Sequence, residues 1–166
     1  NLPSQSWIVK RLIPSQGVGM IYGESGSFKS FLALDALAHI ANGLPWFDCR
    51  VSSVPTVYVP FEGKGGVPKR VAAWRMSQAS IGKENISSNI RFITDPMNLR
   101  LQSDRNKLVA SLDKAGCIGG VLCIDTLAQA AGDFNENSSE GMGEMLSIFN
   151  ELQGRMSGVV LVVHNS

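Results

Sequence analysis

Between an apolar run, Val18–Tyr22, and an amphipathic segment, Phe31–Ala41, residues 23–30 read Gly-Glu-Ser-Gly-Ser-Phe-Lys-Ser. Apolar run, glycine-bearing turn and helical periodicity, in that order, predict a strand that turns sharply into a helix. Few folds are compatible with that. Such a turn points successive backbone N–H groups inward. The first turn of the helix adds N–H groups without intrahelical partners and the positive end of the helix dipole. Together they suit a phosphate. Lys29 is placed to reach β- and γ-phosphates, and the Ser30 hydroxyl to hold Mg²⁺. The candidate nucleotide-binding residues are therefore Gly23, Glu24, Ser25, Gly26, Ser27, Phe28, Lys29, Ser30 and Phe31, and the expected ligands are ATP and Mg²⁺.

One position departs from the common pattern G-x-x-x-x-G-K-[ST]. Phe28 stands where the glycine before the lysine is usual. If the backbone there needs a positive φ, a phenylalanine is strained by roughly 1–2 kcal/mol. The loop then either carries that strain or is shaped differently, with Gly26 as the flexible residue. No G-x-G-x-x-G follows the strand, which excludes a dinucleotide fingerprint. A glycine turn before an ordinary helix is the bland alternative, and the chemistry downstream argues against it.

Taken in order, residues 1–17 have no clear period and read as a lead-in that packs Trp7 and Ile8 on the body of the domain. The first strand is Val18–Tyr22. The first helix runs to about Asn42, with Gly43 as its stop and Pro45 beyond. The second strand, Thr56–Phe61, ends at Glu62, and its Pro60 should sit near the strand end or at a bulge. After the Gly63, Gly65, Gly66 turn, a helix is expected over about 67–80. Its Lys69 and Arg70 oppose the dipole, so Arg70 and Arg75 either lie on a solvated face or meet a phosphate or a neighbouring subunit. A third strand, Asn89–Ile93, precedes a helix capped by Ser103 and ending near Ala115. The fourth strand, Gly120–Ile124, ends at Asp125-Thr126. A polar loop from Ala130 to Ser138 holds Asp133 and Glu136. A helix from Ser138 or Ser139 to about Met156 leads to the fifth strand, Val159–Val163, which ends at His164.

Five near-continuous apolar strands alternating with helices predict an α/β fold with a buried parallel sheet. The 166 residues suit one domain, 1–166. Net charge is +1, with no block of like charge to suggest nucleic acid or a membrane surface. The longest apolar runs are strand-sized, against the roughly 20 residues of a membrane span. Cys49, Cys117 and Cys123 fit no zinc or redox spacing. With no charged-then-apolar leader, the chain reads as cytoplasmic.

Ligands of such sheets bind at the carboxyl ends of the strands. Asp125 after four apolar residues is the pattern of a carboxylate that holds Mg²⁺, with capping of the next turn as the alternative. Glu62 could orient water for in-line attack on a γ-phosphate, or be a solvated strand-end acid. His164 could sense the γ-phosphate by hydrogen bonding, although a lone histidine is more often structural.

With these residues in place, the chain resembles the RecA-like P-loop ATPases, and most of all the RepA-type hexameric replicative helicases of plasmids and phages. The resemblance covers nearly the whole chain. It rests on Leu2-Pro3, Trp7-Ile8-Val9, Leu12-Ile13-Pro14, the phosphate loop with Phe31–Gly43, and Val57–Gly63. It continues through Ile124–Ala128, Gly132–Asn137 and Leu161–His164. It implies a three-layer core with strand order 3-2-4-5-1 and further strands beyond the first, so that the natural protein is longer. It also implies that Glu62 is the catalytic base, that His164 is a γ-phosphate or DNA-coupling sensor, and that Lys29 assists catalysis. Ser30 and Asp125 would hold Mg²⁺.

A homo-hexameric ring, single-stranded DNA and an arginine finger would then belong to parts beyond Ser166. The expected function is the Mg²⁺-dependent ATPase motor domain of a replicative single-stranded DNA translocase or helicase. The alternative is a RecA-like ATP-driven switch that regulates or remodels a protein partner without unwinding. A small-molecule phosphotransferase should show an arginine-rich lid, and none is evident.

Overall fold

The computed structural model describes residues 4–61, 64–84, 86, 89–132, 135 and 138–166. A small antiparallel hairpin comes first, β1 (Trp7–Val9) with β2 (Ile13–Pro14). It is followed by β3 (Gly17–Gly23), α1 (Lys29–Asn42), β4 (Thr56–Pro60), a 3-10 turn (Lys64–Gly66) and α2 (Val67–Ser80). Then come β5 (Ile90–Phe92), α3 (Gln102–Lys114), β6 (Val121–Asp125), the single-turn α4 (Leu127–Ala130), α5 (Ser139–Met156) and β7 (Val159–Asn165).

The strands β3, β7, β6, β4 and β5 lie side by side in that order, all parallel. Read from the other edge, this is the order 3-2-4-5-1 expected from the resemblance. Side chains alternate across the pleat, so each strand feeds two cores. Tyr58, Val121, Cys123, Val159 and Leu161 meet Ala33, Leu34, Leu37 and Ile40 of α1 and Trp74 of α2. Val57, Val59, Leu122, Ile124, Val160 and Val162 meet Leu108 and Leu112 of α3 and the buried stripe Met145, Phe149, Leu152, Met156 of α5. Helices therefore cover both faces, the arrangement a parallel sheet requires.

Two backbones approach closely where β6 and β7 begin. A Cβ built on Gly120 would lie 2.1 Å from the Pro55 carbonyl oxygen, and one on Gly158 would lie 2.2 Å from the Gly120 carbonyl oxygen. Only glycine fits either position.

The ends of the elements follow local chemistry. Gly43 closes α1 at φ 64°, donating its N–H to Ile40 O. Pro60 is the last residue of β4, where its missing N–H breaks no further ladder bond. Ser138 caps α5 by accepting from the Gly141 N–H at 3.0 Å.

The structure corrects three expectations. Residues 1–17 are not merely an aperiodic lead-in. They hold the β1–β2 hairpin, which buries Ile8 and Val9 and leaves Trp7 half-buried. Ser103 does not cap α3; Leu101 holds the cap position, and Asp104 in the first turn accepts the Asn98 N–H at 2.8 Å. Ala130 belongs to α4 rather than to a loop, and Asp133 and Glu136 lie outside the described residues.

The outer edge of β3 carries no strand among the described residues. Met20 and Tyr22 are exposed on it, beside a groove of about 540 Å³ lined by Leu12, Leu32, Phe47 and other apolar side chains.

Candidate nucleotide site

Strand β3 ends at Gly23, and α1 begins at Lys29. The loop between them turns with two residues in the left-handed region, Gly26 at φ 80° and Phe28 at φ 60°, ψ 22°. Phe28 thus adopts the strained conformation that its position threatened, at a cost of about 1–2 kcal/mol. Packing does little to offset that cost. The Phe28 side chain is 74% exposed, with its ring 6.1 Å from the Phe31 ring. Ser27 closes the loop from within, donating its hydroxyl to Glu24 O at 2.7 Å.

Lys29 is buried, an unusual position for a lysine unless its ammonium is satisfied. Here Nζ donates to the Glu24 carbonyl oxygen and to Ser27 Oγ, the latter at 3.1 Å. Its charge therefore sits inside the loop. A cavity of about 280 Å³ opens there, lined by Ser25–Phe31 together with Arg70, Thr126, Val163 and Asn165. Residues from four elements, β7, α1, α2 and the end of β6, converge on it.

Asp125 closes β6 at 1% exposure. It shares strand parity with Val121 and Cys123, so it points to the α1–α2 side. The hydroxyl of Tyr58, from the neighbouring strand, donates to Asp125 Oδ2. Burial, and then the adjacent Asp125 carboxylate, push the Tyr58 phenol well above its usual range. Tyr58 is thus a proton donor at any ordinary pH. Arg70 of α2 donates from Nη1 to the Tyr58 hydroxyl at 3.3 Å and lies 4.0 Å from Asp125 Oδ2. The other carboxylate oxygen, Asp125 Oδ1, is buried with no hydrogen-bond partner among the described residues.

That orphaned oxygen is the observation against which a metal can be tested. A carboxylate with one lone-pair face unused, at a strand end near a loop that presents a serine hydroxyl, fits a hard cation that keeps several waters and phosphate oxygens. Ser30 and Asp125 are the residues that would hold Mg²⁺, and the ion would supply positive charge beside the phosphates of a nucleotide.

The remaining predicted positions divide. His164 lies near the end of β7 with its ring 5.5 Å from that of Tyr22. The cavity beside the loop is lined by its neighbours Val163 and Asn165 instead. Phe61 N–H donates to Asp125 O at 2.8 Å, which continues the β4–β6 ladder one step past the strand. Glu62, the next residue in sequence, lies outside the described residues, as do Asp133 and Glu136. Arg70 is turned toward the site and not simply onto a solvated face, while Arg75 lines a separate pocket with Lys83 and Glu84.

Sequence reasoning missed Tyr58 and Asp35. The first was within reach, because Tyr58 and Asp125 have the parity of adjacent parallel strands that face one helix layer. Asp35 of α1 accepts the indole N–H of Trp46 at 3.0 Å, the indole N–H of Trp74 at 2.8 Å and the Gln78 amide at 3.0 Å. It ties α1, α2 and the connection after α1 together, and no local pattern announces it.

Comparisons with known proteins place the family and the fold. The AAA domain family matches residues 1–166, the entire chain. No curated protein matches the sequence significantly. Among solved structures the chain is similar to the KaiC-like protein PH0186 from the hyperthermophilic archaeon Pyrococcus horikoshii OT3. The TM-score is 0.61 at 14% identity, over 96% of this chain and 67% of that one. It is also similar to the RadB recombinase, with a TM-score of 0.53 at 18% identity over 92% of this chain and 62% of that one. At such identities the likeness is one of fold, and the chain spans about two thirds of the length of each. The RepA-type subfamily suggested by the sequence is not singled out by these matches. The chain belongs to the AAA domain family and has a RecA-like P-loop fold.

Proposed function

We propose that this chain is a Mg²⁺-dependent ATPase domain that serves as the motor of a single-stranded DNA translocase or helicase in replication. The observation that carries the nucleotide part is that Lys29, Ser30 and Arg70 line one cavity, and Arg70 also donates to the Tyr58 hydroxyl and lies 4.0 Å from Asp125 Oδ2. In this reading Lys29 neutralises the β- and γ-phosphates and Ser30 and Asp125 hold the metal. Glu62 polarises the attacking water and His164 couples the γ-phosphate state to the outside of the domain.

The motor part of the reading rests on the RepA-type resemblance of the segments around Val57–Gly63, Ile124–Ala128 and Leu161–His164. A ring of six subunits, with DNA contacts and an arginine finger beyond Ser166, is part of the same proposal. The alternative is an ATP-driven switch acting on a protein partner.

The test is steady-state ATP hydrolysis by the natural protein with and without single-stranded DNA, alongside its oligomeric mass. A motor hydrolyses ATP severalfold faster or more with DNA, as a ring. Hydrolysis that ignores DNA but responds to a protein partner favours the switch. ADP formation that needs an added sugar or nucleoside overturns both.

A further inference from the structure

We propose that Arg70 is a resident counter-ion of Asp125 that a divalent cation must displace, so that Arg70 sets how tightly the site takes metal. The inference rests on the reading of Asp125 as the metal-holding carboxylate.

Helix α2 carries Lys69 and Arg70 in its first turn and no acidic residue there. Cations at that end oppose the helix dipole. Arg70 meets its compensation across the layer, since its Nη1 lies 4.0 Å from Asp125 Oδ2 and 3.3 Å from the Tyr58 hydroxyl. Its guanidinium lies along Gly66, where an added Cβ would be in ordinary van der Waals contact with Cζ at 3.7 Å. Asp125 is buried, and in so dry a place one positive charge near a carboxylate strongly disfavours a second. Asp125 Oδ1 is buried without a hydrogen-bond partner among the described residues, and a metal that takes up this oxygen must enter the field of Arg70.

The same cavity that takes in Lys29 and Ser30 is lined by Arg70. A guanidinium leaving Asp125 therefore moves toward the place of the phosphates, where it gains a new anionic partner. Metal then loads well only together with nucleotide. Arg70 acts through Asp125, as a positioning residue.

The experiment is titration of the natural protein with Mn²⁺ alone, followed by electron paramagnetic resonance of free Mn²⁺. R70Q should bind Mn²⁺ about fivefold or more tighter than wild type, the lower range of a site-to-site coupling. Arg70→Met keeps the apolar stem, carries the same expectation and serves if R70Q fails to fold. Arg70→Lys restores the charge and should return affinity toward wild type, which a loss of packing alone would not do. A folded R70Q or Arg70→Met no tighter than wild type overturns the proposal, as does an Arg70→Lys variant as tight as R70Q. D125N separates the two layers of the argument. If it binds Mn²⁺ as wild type does, the reading of Asp125 falls and the proposal with it. If it loses Mn²⁺ while R70Q is unchanged, only the proposal falls.

Discussion

The Tyr58 hydroxyl donates to Asp125 Oδ2 across adjacent strands, on the side of the sheet covered by α1 and α2. At neutral pH, Tyr58→Phe should cost about 1–3 kcal/mol, the scale for removing a donor from a buried charged acceptor. The gap should narrow in alkali. The unfolded chain releases the phenol proton near pH 10, whereas burial and Asp125 hold it on in the folded state. The unfolded state then binds fewer protons, so wild type loses up to about 1.4 kcal/mol per pH unit above that point. Tyr58→Phe lacks this slope. Urea unfolding at neutral pH and above about pH 10 checks it, and a gap that stays constant contradicts it.

Asp35 accepts three hydrogen bonds from residues 11, 39 and 43 positions away. Asp35→Ala leaves two indole N–H groups and an amide without their acceptor. The expected loss is at least about 3 kcal/mol in denaturant unfolding. A loss below about 1 kcal/mol would show that other groups or water take over these donors.

What was legible in the sequence was what depends on short periods. Four of the five sheet strands are largely apolar and five to seven residues long, β5 has only three residues, and α2 was expected over its observed span, 67–80. The β1–β2 hairpin was not legible, because strands of three and two residues carry no period. The four residues of α4 are equally short. Ser103 looked like a cap because its hydroxyl can cap, yet Asp104 one residue later reaches back to Asn98 and the helix begins earlier. The places of the loop between β3 and α1 and of Asp125 at the end of β6 were legible from spacing. The roles of Tyr58, Arg70 and Asp35 come from pairing between distant segments, which spacing does not encode.

Phe28 holds φ 60° with its side chain largely in solvent. Phe28→Gly should relieve about 1–2 kcal/mol of strain, against roughly 0.4–1 kcal/mol of added unfolded-state entropy. We expect a stability equal to or slightly above wild type and an undiminished affinity for ATP. A well-folded variant that binds ATP much more weakly would give the phenyl ring a contact with the nucleotide.

Glu62→Gln keeps the side-chain shape and removes the charge that would polarise water. ATP should still bind the natural protein with near-normal affinity, while hydrolysis falls on the order of 10²-fold or more. If turnover is normal, Glu62 is not the base, and Asp133 or Glu136 becomes the next candidate.

The central claim is that the loop from Gly23 to Ser30 binds Mg²⁺-ATP through Lys29. The direct measurement is calorimetric titration of Mg²⁺ with a slowly hydrolysed ATP analogue onto wild type and Lys29→Ala. One nucleotide should bind per wild-type chain. If Lys29 meets the phosphates, the variant should bind at least about 10²-fold more weakly, as expected for a charged partner worth about 3 kcal/mol. Equal affinity in a folded Lys29→Ala, or no binding to wild type, would contradict the account.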